Sequence, residues 1–432
     1  MNETKKYQRL RLIQNKDVKD KVVLIRVDHN VVKKGKIKDT SRIEASLGTI
    51  FNIVSRGGKP VLMTHVGRPK NKKTGEIDCS KERSVEPIVR YLKKKLRVNI
   101  EIPSFSIHES LGITDFNSSI HESIKRLEDR KIGAVYLPNI RWFHGEQANA
   151  PERTRFARQL ASIAGIFVND AFGSWQPHVS TFDITKYLPS YAGFLLQEEI
   201  KNLEMVLNPA RPFLAVVAGS KYDTKIGPLK ELHSRVDHLI LGGIMNNTYL
   251  CAKYGVNIAG VPQEDIDLAM ELVNLDEKEN KIVELPLLIE SEDFLPTKKK
   301  KIKSISIEKF KKGNSYKYIL DVDPASFNQS YINKIIGSAK TILVNAVMGL
   351  VPYFNDGSRA LYEEIDKNSK ALQLYGGGDT IQELKNLCPG VYIRGLENPK
   401  CYYFTGGGTV LKAIEGRSPL KIKPVERLLV RQ

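Results

Sequence analysis

Two glycine triplets, thirty residues apart, carry the clearest chemistry in this sequence: Gly376–Gly378 in LQLYGGGDTIQELKNL and Gly406–Gly408 in FTGGGTVLKAIEG. In each, an apolar run enters three glycines and an amphipathic stretch follows. Glycine lets the backbone approach an anion closely, and the free N–H groups and dipole at a helix start favour negative charge. One triplet alone could be a tight turn. Two of them, ending consecutive strands, are better explained as amide cradles aimed at one polyanion. Asp379 and Thr380 open the first helix; Asp379 is either its N-cap or a carboxylate for the Mg²⁺ that accompanies a nucleotide.

A second set of residues is basic. Arg26, Arg42, His65, Arg68 and Arg141 come from four separated segments, and arginine suits bidentate contact with carboxylate and phosphate. Each could equally be the partner of a structural salt bridge. Lys221 and Lys225, four apart after FLAVVAG, would share a helical face if a helix begins by Tyr222. They are solvated surface or, beside Gly219 at a strand end, phosphate contacts. His144 and His178 read more readily as packing residues.

These groups need a scaffold. Short, continuously apolar runs alternate with amphipathic stretches of 10 to 15 residues: VVLIRV (Val22–Val27), PVLMT (Pro60–Thr64), AVYL, IFV, FLAVVAG, HLILGG, TILVNAVMG and LQLYGGG. Such runs predict parallel strands covered on both faces, hence a doubly wound, Rossmann-like α/β fold. Ligands bind beyond the carboxyl ends of such strands. In the first half those ends carry Asp28, His29 and Asn30, then His65 and Arg68, Asn139 and Arg141, Asn169 and Asp170. In the second they carry glycines instead: Gly219, Gly242 and Gly243, Gly349 and the two triplets. Two chemistries imply two domains, residues 1–189 and 190–415, the second beginning with a connecting helix in YAGFLLQEEIKNLEMVL.

Composition narrows the class. The chain has 432 residues and a formal charge of +18, which favours anionic partners without choosing among nucleic acid, membrane surface and phosphorylated metabolites. The Lys298–Lys301 run reads as a solvated loop, with no aromatic or helical partners to suggest nucleic acid. Cys79, Cys251, Cys388 and Cys401 form no CxxC pair, so a reducing, cytoplasmic compartment is expected. Neither a signal peptide nor a membrane span is expected. The sequence contains no G-x-x-x-x-G-K-[ST], no G-x-G-x-x-G after a strand, no HRD or DFG, no H-E-x-x-H and no G-x-S-x-G. These gaps disfavour P-loop ATPases, dinucleotide dehydrogenases, protein kinases and hydrolases of those types.

Eight segments together resemble phosphoglycerate kinase, in that family's order and spacing over nearly the whole chain. They are RVDHN (Arg26–Asn30), THVGRP (Thr64–Pro69), NIRWFHGE (Asn139–Glu146), VNDAFG (Val168–Gly173), AGSKYDTKIG (Ala218–Gly227), LGGIMNNTYL (Leu241–Leu250), GGGDT (Gly376–Thr380) and TGGG (Thr405–Gly408). The resemblance implies a glycolytic enzyme that moves a phosphoryl group reversibly between MgATP and the carboxylate of 3-phosphoglycerate, giving 1,3-bisphosphoglycerate and ADP. It implies that Arg26, Asp28, Asn30, Arg42, His65, Arg68 and Arg141 bind the acid. Gly219, Lys221, Lys225, Gly242, Gly243, Asn345, Gly377, Gly378, Asp379 and Thr380 would bind the nucleotide, with Asp379 on Mg²⁺. Arg42 and Lys221, with the Gly407 and Gly408 amides, would stabilise the moving phosphoryl group as the domains close about the connector. A monomer is implied, and residues 416–432 would return to the first domain.

The chain also departs from the family. Where the family has an arginine in H-R-A-H after DAFG, this chain reads SWQPHVS, one residue shorter, with Gln176 there. The glutamate that reaches the ribose has no match in VPYFNDG, and G-P-M-G is replaced by Ala346, Val347, Met348 and Gly349. These changes leave open weaker acid binding, altered nucleotide preference, another phosphorylated acid, or a nucleotide-binding relative without turnover.

Overall fold

Six consecutive buried residues, Val22–Val27, form the strand β1. A strand buries every side chain only when both its faces are covered, because successive side chains point to opposite sides. The computed structural model describes residues 10–219, 226–295 and 301–430, and by contact density the chain divides into two units, Met1–Lys201 with Leu420–Gln432 and Asn202–Pro419.

In the first unit β1 is joined by β2 (Lys59–Met63), β3 (Ile100–Glu101), β4 (Ala134–Tyr136), β5 (Ile166–Asp170) and β6 (Ser190–Ala192). The spatial order is β3-β4-β2-β1-β5-β6, every pair parallel. Val23, Ile25 and Val27 face one core with Ile50 and Ile53 of α1 (Leu47–Ser55) and Ile88 and Leu92 of α2 (Glu86–Leu96). Leu24, between them, faces the other core, with Ile120 and Leu127 of α3 (Ser118–Glu128) and Phe156 and Leu160 of α4 (Glu152–Ser162). Each such aliphatic side chain, fully buried, contributes about 1.5–3 kcal/mol. Arg26 lies in register with Met63 of β2 and Asn169 of β5, so the carboxyl ends of the central strands are level. The tail joins this unit: the Arg11 N–H donates to the Leu428 carbonyl at 2.8 Å, and Leu428 is buried. Helix α5 (Phe194–Leu207) contains the division at Lys201 and Asn202.

The second unit has a parallel sheet in the order β8-β7-β9-β10-β11: β7 (Phe213–Gly219), β8 (His238–Gly242), β9 (Thr341–Asn345), β10 (Leu372–Gly376) and β11 (Cys401–Phe404). Its helices are α6 (Ile226–Arg235), α7 (Gly243–Tyr254), α8 (Gln263–Glu279), α9 (Ser330–Ser338), α10 (Asp356–Lys367), α11 (Gly378–Leu387), α12 (Pro389–Glu397) and α13 (Gly407–Glu415). Beside them lies a small antiparallel sheet of Leu287–Ser291, Ile302–Ser306 and Tyr318–Val322, which the apolar runs did not announce. Its strand Ile302–Ser306 follows the lysine run; of that run Lys298–Lys300 lie outside the described residues, while Lys301 and Lys303 are exposed and pair with Glu292 and Glu290. Among the described residues no helix is long and apolar enough to cross a membrane. All four cysteines are free.

Candidate active site

Four neighbouring strands of the first unit, β4, β2, β1 and β5, end in loops whose polar groups hold one another. After β1, Asn30 Oδ1 accepts from the Gly67 N–H at 2.8 Å, and Arg141 Nη1 donates to the Gly67 carbonyl at 2.7 Å. Gly67 has φ +63°, a conformation that disfavours a side chain, and it is pinned between these two residues. Asn139, fully buried, braces the same loop, accepting from the Val66 N–H at 3.0 Å and donating to the Val66 carbonyl at 2.9 Å. Arg42 reaches Asp28 at 3.3 Å; the Asp28 side chain is 3% exposed and that of Arg42 22%. Arg68 is exposed at the end of the Gly67 turn.

Two buried atoms here have no hydrogen-bond partner: Asp28 Oδ1 and Arg141 Nε. One is an acceptor and the other a donor. Burial, with Arg26 and Arg68 nearby, lowers the Arg141 guanidinium to about 10, which leaves it cationic at neutral pH. Burial first, and then Arg141 and Arg26, hold the His65 imidazole well below its ordinary value, so the ring is neutral. Of Arg42, His65, Arg68 and Arg141, only the arginines therefore bring positive charge to the patch.

The structure separates residues that the strand-end reading grouped together. Arg26 lies in the patch but is only 1% exposed, and its donors are spent on Ser180 Oγ (3.0 Å), the Val27 carbonyl (2.5 Å) and His65 Nδ1 (2.9 Å). His29 turns inward to Tyr136 and Ser46, and burial lowers it to about 3. Asp170 does not join the patch: it accepts from the Leu196 N–H at the start of α5 (3.2 Å), and burial pushes its carboxyl up to about 7. Asn169 bonds the nearby Ala171 N–H. Gln176 is exposed on the loop between Ser174 and Ser180. His178, lowered to about 4 by burial, sits 3.3 Å from Gln147. Glu146 and Ser180 were not singled out by sequence; they are bonded partners 34 positions apart, with no local pattern to mark them.

In the second unit the glycines meet. A Cβ on Gly407 would lie 2.7 Å from the Cα of Gly377, so the starts of α11 and α13 touch backbone to backbone. Asn345, at the end of β9, donates to the Gly407 carbonyl at 3.1 Å, and a Cβ on Gly377 would lie 3.6 Å from its Oδ1. The first amides of a helix have no intrahelical acceptor, so those of Gly378, Asp379 and Thr380 and those of Gly407 and Gly408 gather at one place. Gly377, with φ +107°, is the N-cap of α11. Asp379 is therefore not the cap but an exposed residue of the first turn, while Thr380 is buried. At the ends of β7 and β8, Gly219 pairs with Gly243, and a Cβ on Gly242 would collide with Met348 at 2.7 Å. Lys221 and Lys225 lie outside the described residues. Among the described residues no three His, Cys, Asp or Glu side chains gather as a metal-binding group.

Comparison with known proteins agrees with this architecture. The sequence model of the family described as phosphoglycerate kinase matches residues 13–417. The chain is 33% identical to the phosphoglycerate kinase of Dictyoglomus turgidum over 417 residues, covering 94% of this chain and 95% of that one. It is 31% identical to that of Trichodesmium erythraeum over 415 residues, with 94% and 95% covered. The solved structure of phosphoglycerate kinase from Coxiella burnetii superposes with a TM-score of 0.72 at 28% identity, over 97% of this chain and 98% of that one. The fold is also that of the enzyme from Pyrococcus horikoshii OT3, with a TM-score of 0.76 at 21% identity over 97% and 99% of the two chains. A family model and curated relatives at 31–33% identity that match over almost the full length mean that this chain belongs to the phosphoglycerate kinase family.

Proposed function

We propose that this enzyme binds 3-phosphoglycerate at the strand ends of its first unit and the nucleotide at the glycine-lined strand ends of its second. The pair of unpartnered buried atoms, Asp28 Oδ1 and Arg141 Nε, carries the first half of the reading. A buried polar group left unpaired costs about 1–3 kcal/mol, and a hydroxylated, phosphorylated acid supplies a donor for the one and an acceptor for the other. Asn30, Arg42, His65 and Arg68 complete its contacts. His65 contributes as a neutral hydrogen-bond donor.

For the nucleotide, the amides of Gly377, Gly378 and Thr380 cradle phosphate, with Lys221 and Lys225 adding charge and Asn345 holding the cradle. The backbone at Gly219, Gly242 and Gly243 leaves a flat wall for the base. Asp379 is the carboxylate that would hold Mg²⁺, and the ion when bound offsets phosphate charge. The acceptor carboxylate is ionised at neutral pH, so no general base is needed. Arg42, Lys221 and the Gly407 and Gly408 amides stabilise the charge on the transferring group. A cytoplasmic monomer completes the reading, and sedimentation would check the monomer.

The deciding experiment is a coupled assay of the purified chain with MgATP and a panel of phosphorylated acids. Turnover with 3-phosphoglycerate is expected; another acid turned over in preference would refute the substrate assignment. Arg42→Ala should lower kcat at least about 100-fold, the loss typical of removing one transition-state charge contact.

A further inference from the structure

We propose that Glu146, acting through Ser180 and Arg26, is a positioning residue that fixes His65 as a neutral imidazole with its proton on Nε2, ready to donate to the phosphorylated acid. The inference rests on the placing of that acid on the first unit. Glu146 lies in a short 3-10 turn, His144–Gln147, and is completely buried. Its two oxygens each accept from the same residue: Oε2 from the Ser180 N–H at 2.9 Å and Oε1 from the Ser180 hydroxyl at 2.6 Å.

A serine hydroxyl has a single hydrogen. Once it is given to Glu146, the Ser180 oxygen can only accept, and it accepts from Arg26 Nε at 3.0 Å. Arg26 is in turn a pure donor. Its Nη2 faces His65 Nδ1 at 2.9 Å, so that nitrogen must carry the lone pair and the proton must sit on Nε2. The Glu146 carboxylate directs the bonds it accepts from Ser180, and through Ser180 it holds Arg26 in place, whose donors then set the His65 tautomer. Glu146 also supplies the anion that the buried Arg26 requires, because an uncompensated charge in that interior is strongly unfavourable. Arg26 thereby becomes a support for the site instead of a contact of its own, and its Nη2 lies 3.4 Å from Ser174 Oγ, so it ties down both ends of the Ser174–Ser180 loop.

The first test is ¹⁵N-histidine NMR of the full chain between about pH 5 and 8. His65→Gln identifies the His65 signal among the 8 histidines. The relay requires an Nε2–H tautomer that does not protonate over this range; an Nδ1–H tautomer, or ordinary titration, would overturn it. In the second test, Ser180→Ala should raise KM for 3-phosphoglycerate about tenfold, with kcat and KM for ATP within about twofold of wild type. Ser180→Thr, which keeps the hydroxyl, should restore KM, whereas a merely structural loss would lower active-enzyme concentration and leave KM alone. Glu146→Gln, whose amide can no longer accept on both sides, should follow Ser180→Ala; if it fails to fold, the two Ser180 variants carry the test. An unchanged KM in Ser180→Ala, with a raised one in His65→Gln, sinks the relay and spares the site. An unchanged KM in His65→Gln as well sinks both.

Discussion

At the scale of single residues, the proposed acid site sets its arginines beside two buried acidic side chains, Asp28 and Glu146. Asp28 faces Arg42 with one oxygen and leaves the other unpaired. In Asp28→Asn, one side-chain atom becomes a donor: either it opposes Arg42, or it faces the substrate where an acceptor is needed. A hydrogen bond to a charged group contributes about 1.5–3 kcal/mol, so kcat/KM for 3-phosphoglycerate should fall roughly 10- to 100-fold. KM for ATP should stay near its wild-type value, and steady-state kinetics with each substrate varied in turn would separate the two. Residue types were readable from sequence here and their division of labour was not. Arg26 and Arg141 both stand near the carboxyl ends of strands, yet Arg26 is 1% exposed and its donors serve protein atoms. Burial of an arginine is decided by partners such as Glu146, 120 positions away in sequence, which no local pattern reveals.

Secondary-structure elements impose the next constraint, because helix starts can gather amides only where backbones may touch. Gly407→Ala would put a methyl 2.7 Å from Gly377 Cα and 2.9 Å from Gly377 N, against atoms that cannot rotate away. Overpacking of this kind costs about 1–3 kcal/mol, and chemical denaturation should show it together with weakened nucleotide binding. Gly337 in α9 is the control: a Cβ there would meet nothing within 4 Å, so Gly337→Ala should be neutral or stabilising by up to about 1 kcal/mol. The triplets were therefore legible as glycine-dependent, but part of their purpose is mutual packing of α11 and α13, which only the fold displays. A second element-scale device lies between α6 and α8, where buried His233 meets Asp276 at 2.9 Å. Burial alone would raise the Asp276 carboxyl, but hydrogen bonds from His233 and from the Ile282 and Lys281 N–H groups prevail and hold it below its ordinary value. A depressed carboxylate stabilises the fold above its unfolded value of about 3.9 and loses that contribution as pH falls through the folded value. Asp276→Asn should thus cost about 1.5–3 kcal/mol near neutral pH, where hydrogen bonds to a buried carboxylate are weakened. The gap to wild type should close as the pH is taken below about 4, which thermal melts across that range would record.

For the whole molecule, the doubly wound sheets were the most legible feature, since VVLIRV and FLAVVAG can be buried end to end only between two helix layers. The connector was read too long: Tyr191 and Ala192 belong to β6, a three-residue edge strand too short to leave a periodicity, and the helix begins at Phe194. The antiparallel sheet of the second unit was missed because its strand Ile302–Ser306 sends Lys303 and Ser304 to solvent and carries no apolar run. Net charge, by contrast, is fixed by sequence whatever the fold, and at +18 it acts on both substrates. Phosphoglycerate and ATP are polyanions, so the summed field of the protein draws them in before any contact forms. Raising the salt from about 0.01 to 0.15 M shortens the Debye length from about 30 to 8 Å and removes that long-range part. Phosphoryl transfer itself takes place among groups in contact, where screening is slight. Increasing ionic strength should therefore raise KM for both substrates several-fold while kcat changes little. A neutral osmolyte at matched osmolarity should leave both alone. If kcat fell with salt in step with kcat/KM, the excess charge would be acting on the bound state, and its role as a long-range lure for substrate would be wrong.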